Sequence, residues 1–250
     1  MHYFKWMQWQ VVDTGCKSAE ENMRQDALLL EQAHSFSQPI LHLYEWEKPS
    51  ATYGYFNRPE QFLNIGAARD KGLQLARRPT GGGIIFHLWD MAFSVLMPSH
   101  RAEFSQNSLE NYAFVNKAVL HAVQAFFGDK RPLSLTPEDA LALEAPCAHF
   151  CMARPTKYDV LLEGKKIVGA AQRKTKAGFL HQGSIALTLP TPGYLTELFS
   201  SDRSVQKAML LYTYPLLGSE ASGSQILDAK ERLKELLAIH LNEASLKYCP

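Results

Sequence analysis

The chain has 250 residues, 46 % of them hydrophobic and 20 % charged, with 26 basic against 25 acidic side chains and a formal net charge of +1. This excludes a disordered chain, which needs lower hydrophobicity and a larger charge imbalance, and it gives no sign of a nucleic-acid footprint, which needs a basic excess. The opening MHYFKWMQWQ lacks the apolar core and small-residue cleavage site of a signal peptide, and no apolar run is long enough to span a bilayer.

A cytoplasmic protein is therefore expected, with Cys16, Cys147, Cys151 and Cys249 kept as thiols. In chain order, Ser18 followed by Glu21 reads as a capping box opening a helix through about Ala33. Ile40 to Trp46 and Ala51 to Tyr55 read as strands, and Pro59 to Arg69 as a helix stopping near Gly72. Leu73 to Arg78 is a short strand running into Gly81, Gly82 and Gly83, and Ala92 to Met97 is a buried strand. Ser108 to Phe127 is an amphipathic helix with Tyr112, Val115, Val119, Val123 and Phe126 on one face and Gly128 at its end.

Lys130 to Phe150, broken by Pro132, Pro137 and Pro146, reads as loop. Tyr158 to Leu162 and Lys166 to Gln172 form a hairpin turning at Glu163-Gly164, and Phe179 to Leu189 is a further strand. Helices from about residue 203 to residue 241 close the chain. Strands follow one another in the middle instead of alternating with helices, which favours α+β over a doubly wound parallel sheet. One domain spanning residues 1–250 is expected.

The turn Arg77-Arg78-Pro79-Thr80-Gly81-Gly82-Gly83 is the most unusual local feature. Glycines let backbone approach a ligand and offer its N–H groups; a strained structural turn explains them equally well. The glycines are contiguous and no Lys-Ser/Thr follows, so this is neither a Walker motif nor a dinucleotide fingerprint. Arg77 and Arg78 suit a carboxylate, phosphate or phosphopantetheine. With Lys165, Lys166, Arg173, Lys174 and Lys176 they make either a local basic patch or an ordinary solvated face.

Gly169, Ala170 and Ala171 leave room for a ligand beside their strand. Lys166 is a solvated turn residue by default, and a chemically useful one if desolvated. The spacing of Cys147, His149 and Cys151 is too tight for a structural zinc site, so no metal is expected. Cys151 itself is either a small buried hydrophobe or a nucleophile.

Taken together, these segments resemble the lipoate–protein ligase and octanoyltransferase branch of the biotin/lipoate protein ligase superfamily. Arg77-Arg-Pro-Thr-Gly-Gly-Gly-Ile-Ile-Phe-His87 is similar to its R-R-x-[ST]-G-G-[GR]-x-V-x-H signature. Tyr158-Asp-Val-Leu-Leu-Glu-Gly-Lys-Lys-Ile-Val-Gly-Ala-Ala-Gln172 resembles the segment holding the family's catalytic lysine, which falls on Lys166. Gly178-Phe-Leu-His-Gln-Gly-Ser-Ile185 and Tyr53-Gly-Tyr-Phe56 resemble two further blocks. Cys151-Met-Ala-Arg-Pro-Thr-Lys-Tyr-Asp159 falls on the pattern of the branch that uses a cysteine.

The resemblance implies a largely antiparallel mixed sheet packed by helices and lining an acyl tunnel. It implies Cys151 and Lys166 as catalytic residues. It implies substrate binding by Arg78, Gly81, Gly82, Gly83, His87, Gly169, Ala171, Gln172, His181, Gly183 and Ser184. The implied reaction carries an octanoyl or lipoyl group to a lysine of a lipoyl domain, on a 2-oxoacid dehydrogenase E2 subunit or the glycine cleavage H protein. The donor is octanoyl-acyl carrier protein, through a thioester on Cys151, and no cofactor is needed. Two alternatives stay open. One is a ligase that makes lipoyl-adenylate from lipoate with ATP and Mg²⁺. The other is a lipoyl-domain-binding protein without catalysis, suggested by Leu88 and the His181-Gln182 order.

Overall fold

The computed structural model describes residues 8–88, 90–128, 131–136, 147, 149–153, 155–199 and 203–248. Ten strands and six α-helices are found among them: β1 (Gln10–Lys17), α1 (Ala19–Glu31), β2 (Ile40–Trp46), β3 (Ser50–Tyr53), α2 (Ile65–Asp70), β4 (Gln74–Arg77), β5 (Ile84–His87), β6 (Asp90–Pro98), α3 (Ser108–Phe127), β7 (Leu133–Leu135), β8 (Val160–Leu162), β9 (Lys165–Lys174), β10 (Gly178–Ala186), α4 (Pro192–Leu198), α5 (Arg203–Tyr212) and α6 (Gly223–Leu246).

A seven-stranded sheet runs β1-β2-β6-β10-β9-β8-β7, and a three-stranded one runs β4-β3-β5. Only β1–β2 and β3–β4 pair in parallel. The expected α+β, largely antiparallel mixed sheet is what forms.

Strands β6 and β10 are buried along their whole length because both faces of the large sheet are covered. On one face Phe93, Phe179, Ile185 and Val168 pack with Val115, Val119 and Val123 of α3 and Leu233, Leu237 and Leu241 of α6. On the other face sit α1 and the small sheet, around Tyr44, Ala76, Ala92 and Met23. The functional region lies in this second interface. Side chains that alternate along β9 and β10 are therefore divided between helix packing and the space under the small sheet.

Local chemistry explains the elements. Ser18 and Glu21 form the expected capping box on α1, and Ser222 with Gln225 forms a second on α6. Asn107 caps α3, and Gly128 ends it in the left-handed conformation. The helix expected over Pro59 to Arg69 is two pieces, a 3₁₀ turn at Pro59–Gln61 and α2, which Asn64 caps anew. Between them Leu63 bridges Phe199 and is buried, so the chain bends to bring it inward.

β1 escapes the sequence pattern because it is an edge strand with a bulge at Gly15 and no clean alternation. The segment expected as loop contains β7, which follows Pro132 directly; its positions 137–146 lie outside the described residues. Pro192 opens α4, which the sequence reading passes over, at the position where a missing N–H costs nothing. Among the described residues no helix is long and apolar enough to cross a membrane.

Leu237 is fully buried between α6, α3 and the sheet. Leu237→Ala is expected to lower stability by about 2–5 kcal/mol, read as a lower denaturant midpoint with an unchanged slope.

Candidate active site

The glycine turn joins β4 to β5 and wraps around the Arg78 side chain. Arg78 is 4 % exposed. One terminal nitrogen donates to Thr52 O and Thr52 Oγ1, both at 2.9 Å. The other donates to Gly81 O at 3.0 Å and Gly83 O at 2.8 Å, and stands 3.9 Å from Cys151 Sγ. A planar fork fits four acceptors at fixed angles, which an ammonium cannot do. Arg78 thus shapes the loop from inside and sets a cation beside the thiol.

Gly82 holds φ at +86°, and its Cα faces Cys151 Sγ and Ala171. Gly83 lies so close to the next segment that a Cβ would come within 2.4 Å of His149 O. That close approach lets Cys151 N donate to Ile84 O at 3.0 Å. The cysteine is thereby fixed to the outgoing end of the glycine loop.

Behind Cys151 lies a buried ion pair. The β8–β9 turn at Glu163 and Gly164 uses two positive φ angles, and Lys166 then points inward, 2 % exposed. Its Nζ lies 2.7 Å from Asp159 Oδ2 and donates to Cys151 O at 2.7 Å. Asp159 Oδ2 also accepts from Thr156 N at 2.6 Å and Thr156 Oγ1 at 2.7 Å. Its Oδ1 is buried with no hydrogen-bond partner among the described residues. Asp159 was missed as a site residue; its signal was its place at the head of the segment that carries Lys166.

A narrow cavity of about 20 Å³ opens between the two sheets, bordered by Arg78, His87, Cys151, Gly169, Ala171 and Ser184, and by Gly183 on β10. Met23, Tyr44, Thr52, Ile85, Ala170 and Gln182 also border it and were not among the expected residues.

Two hydrogen-bonded chains hold its polar wall. In the first, Asp90 Oδ2 meets His87 Nδ1 at 2.8 Å and accepts from Ser184 Oγ at 2.5 Å, while His87 Nε2 meets Thr52 Oγ1 at 2.8 Å. In the second, Thr80 Oγ1 donates to Gln182 Oε1, and Gln182 Nε2 and Ser94 Oγ donate to Asp26 Oδ2. The Tyr44 hydroxyl stays protonated: burial first, then the Asp26 charge, hold its pKa well above the usual phenol value.

Register explains which expected residues meet. Gly169 faces Ser184, and Ala171 faces Gln182, across the β9–β10 ladder, on the cavity side. Gln172 pairs with His181 one step along, on the α3 side. His181 stands edge-on to Tyr112 of α3, and Gln172 donates to Ser108 O. Both were expected at the substrate, and the alternation of the strand turns both away from the cavity. Among the described residues no set of three or more His, Cys, Asp or Glu side chains is placed to hold a metal.

Residues 18–207 match the family model of the lipoyl protein ligase A/B catalytic domain. The chain is 30 % identical to the octanoyltransferase LipM of Lysinibacillus sphaericus, over 78 % of this chain and 72 % of that protein. It is 28 % identical to the LipM of Kyrpidia tusciae, over 94 % of this chain and 86 % of that one. Among solved structures, a lipoate-protein ligase A bound with ATP superposes with a TM-score of 0.64 at 20 % identity, covering 94 % of this chain and 93 % of that one. The bipartite lipoate protein ligase of Thermoplasma acidophilum gives 0.62 at 21 % identity, over 95 % and 92 %. At such identities the structures speak for the fold.

His181 is fully buried, its Nε2 has no hydrogen-bond partner among the described residues, and burial pushes its pKa from 6.5 down to about 3. The folded state therefore binds fewer protons than the unfolded one between those values. Stability from the neutral ring is full above about pH 6.5 and is lost as pH falls toward about 3. His181→Gln is expected to flatten the decline of the urea midpoint between neutral and acid pH; an equally steep decline in the variant would contradict this.

Proposed function

The chain belongs to the lipoyl protein ligase A/B catalytic domain family, and from that footing we propose that it transfers an octanoyl group from octanoyl-acyl carrier protein to a lysine of a lipoyl domain through a thioester on Cys151. As a member of this family it is an acyl-transferring or acyl-ligating enzyme of protein lipoylation. The observation that carries the finer reading is the placing of Cys151. Its thiol borders the cavity, its sulfur has Arg78 at 3.9 Å, and its carbonyl is held by the buried Lys166.

In the first half-reaction the Cys151 sulfur attacks the donor's thioester carbon. A new C–S bond forms, the donor's C–S bond breaks, and the donor thiol leaves with the proton that Cys151 gave up. Arg78 faces the sulfur while it carries negative charge, as a cation beside a catalytic thiol does. Lys166 holds the Cys151 carbonyl, and with it the nucleophile's main chain, in place, and the N–H groups of the Gly81–Gly83 loop meet the acyl oxygen as the carbon becomes tetrahedral.

In the second half-reaction the neutral amine of the acceptor lysine attacks the acyl-enzyme. An amide forms, the C–S bond to Cys151 breaks, and the amine's proton returns to the thiol. Exchange between thioesters is nearly level, and the amide drives the sequence forward. No nucleotide enters either step.

Within the cavity, Gly169, Ala171, Gly183, Ser184 and His87 flank the acyl chain in this reading. The acceptors in this reading are lipoyl domains of 2-oxoacid dehydrogenase E2 subunits or the glycine cleavage H protein. A lipoyl domain is named with the similar T. acidophilum ligase. The whole chain acts as one catalytic unit.

The test is transfer from octanoyl-acyl carrier protein to an apo lipoyl domain without ATP. Wild type is expected to give the octanoylated domain, and Cys151→Ala to lose at least about a thousandfold in rate, as removal of a covalent nucleophile does. Modification that requires lipoate, ATP and Mg²⁺ and survives Cys151→Ala would establish the ligase reading instead. Asp159→Asn, which leaves the Lys166 charge buried without its counter-ion, is expected to cost about 3–5 kcal/mol of stability, measured by chemical denaturation.

A further inference from the structure

Outside the cavity, where the glycine loop meets solvent, lies a compact cationic and aromatic surface. Tyr55 N donates to Thr80 O, which fixes the tyrosine to the loop's entrance. The Arg77 guanidinium lies 4.9 Å and that of Arg173 5.6 Å from the centre of the Tyr55 ring. Arg173 also donates to Pro79 O at 3.2 Å, so it too is tied to the loop. Lys176 is exposed and lines the same surface groove as Arg173 and Pro79. Phe56, 90 % exposed, stands edge-on to Tyr55.

Arg77 and Arg173 are exposed, and among the described residues neither forms an ion pair with a carboxylate. The chain's net charge is only +1, so this concentration of cations is local. Stacking on one ring holds the two guanidinium groups in place before anything binds.

We propose that Arg77 and Arg173, stacked on Tyr55, bind the phosphodiester of the pantetheine arm that carries the acyl thioester, and so dock the donor at the mouth of the cavity. The proposal rests on the thioester donor assigned above. The two partners that visit Cys151 in turn differ in charge. The donor brings an anion on the arm that leads its acyl group into the cavity. The acceptor brings a lysine, which is a cation until it loses its proton. Paired arginines attract the first and repel the second, and guanidinium forks are matched to phosphate oxygens. Phe56 and Tyr55 offer apolar area for the arm beside the charge.

The experiment measures the rate of Cys151 acylation from octanoyl-acyl carrier protein, from octanoyl-phosphopantetheine and from octanoyl-pantetheine, which lacks the phosphate. In the Arg77→Ala/Arg173→Ala double variant, the rate with each phosphate-bearing donor relative to octanoyl-pantetheine is expected to fall about tenfold or more. For wild type, rising salt should slow the phosphate-bearing donors and spare octanoyl-pantetheine, a reading that stands even where the variant folds poorly.

Unchanged ratios, or a loss confined to the carrier-borne donor, would overturn the phosphate assignment. A variant that acylates normally but no longer passes its acyl group to the lipoyl domain would give the surface to the acceptor and equally overturn it. Failure of all three donors to acylate wild-type Cys151 would instead remove the cysteine-thioester reading on which the proposal rests.

Discussion

The candidate site is built on a buried ion pair. Lys166 and Asp159 are 2 % and 0 % exposed, and their contact is 2.7 Å long. Removing two charges from water costs several kcal/mol per ion, and attraction offsets this only where further hydrogen bonds complete the geometry. Thr156 supplies two such bonds to Asp159, and the Cys151 carbonyl supplies one to Lys166. A hydrophobic pair would stabilise the fold as well, so stability alone gives no reason to keep these charges. What the pair adds is position. It closes the stretch from Cys151 to Asp159 onto β9 and holds the cysteine main chain from below, while β5 and the glycine loop hold it from the side.

Arg78 completes the arrangement from the opposite wall. It too is a buried charge, and its acceptors are Thr52 and the carbonyls of Gly81 and Gly83. Loop shape and cation placement are thus one feature. The Thr52 hydroxyl also reaches His87, which reaches Asp90, which Ser184 of β10 joins. A side chain changed anywhere along this chain disturbs both sheets, because the small sheet supplies Thr52 and His87 while the large one supplies Asp90 and Ser184. The cavity exists where the two sheets face each other and small residues at 169 and 171 keep side chains out of the gap.

Much of this was legible in the sequence. The capping box on α1, the αL glycine after α3 and the β8–β9 turn are local signals, and each forms where its residues require. The glycine loop, Cys151 and Lys166 could be found because unusual residues fall close together in the chain. What sequence spacing could not give was partnership across it. Asp159 belongs to Lys166 through folding, and Gln182 belongs to Asp26 from 156 positions away. The misplacement of His181 and Gln172 has a different cause. Both lie in segments rich in site residues, yet strand alternation turns every second side chain toward α3, and His181 ends as a neutral ring packed on Tyr112. β1 was invisible because an edge strand with a bulge carries no regular apolar pattern.

The central claim is that Cys151 carries the acyl group between donor and acceptor. Peptide mass mapping of the enzyme after mixing with octanoyl-acyl carrier protein, before and after a chase with apo lipoyl domain, tests it most directly. The account predicts an octanoyl mass on the peptide containing Cys151, labile to hydroxylamine and lost to the lipoyl domain during the chase. Transfer to the lipoyl domain with no acylated cysteine peptide at any time, or an adduct on Cys151 that the chase leaves in place, would contradict it.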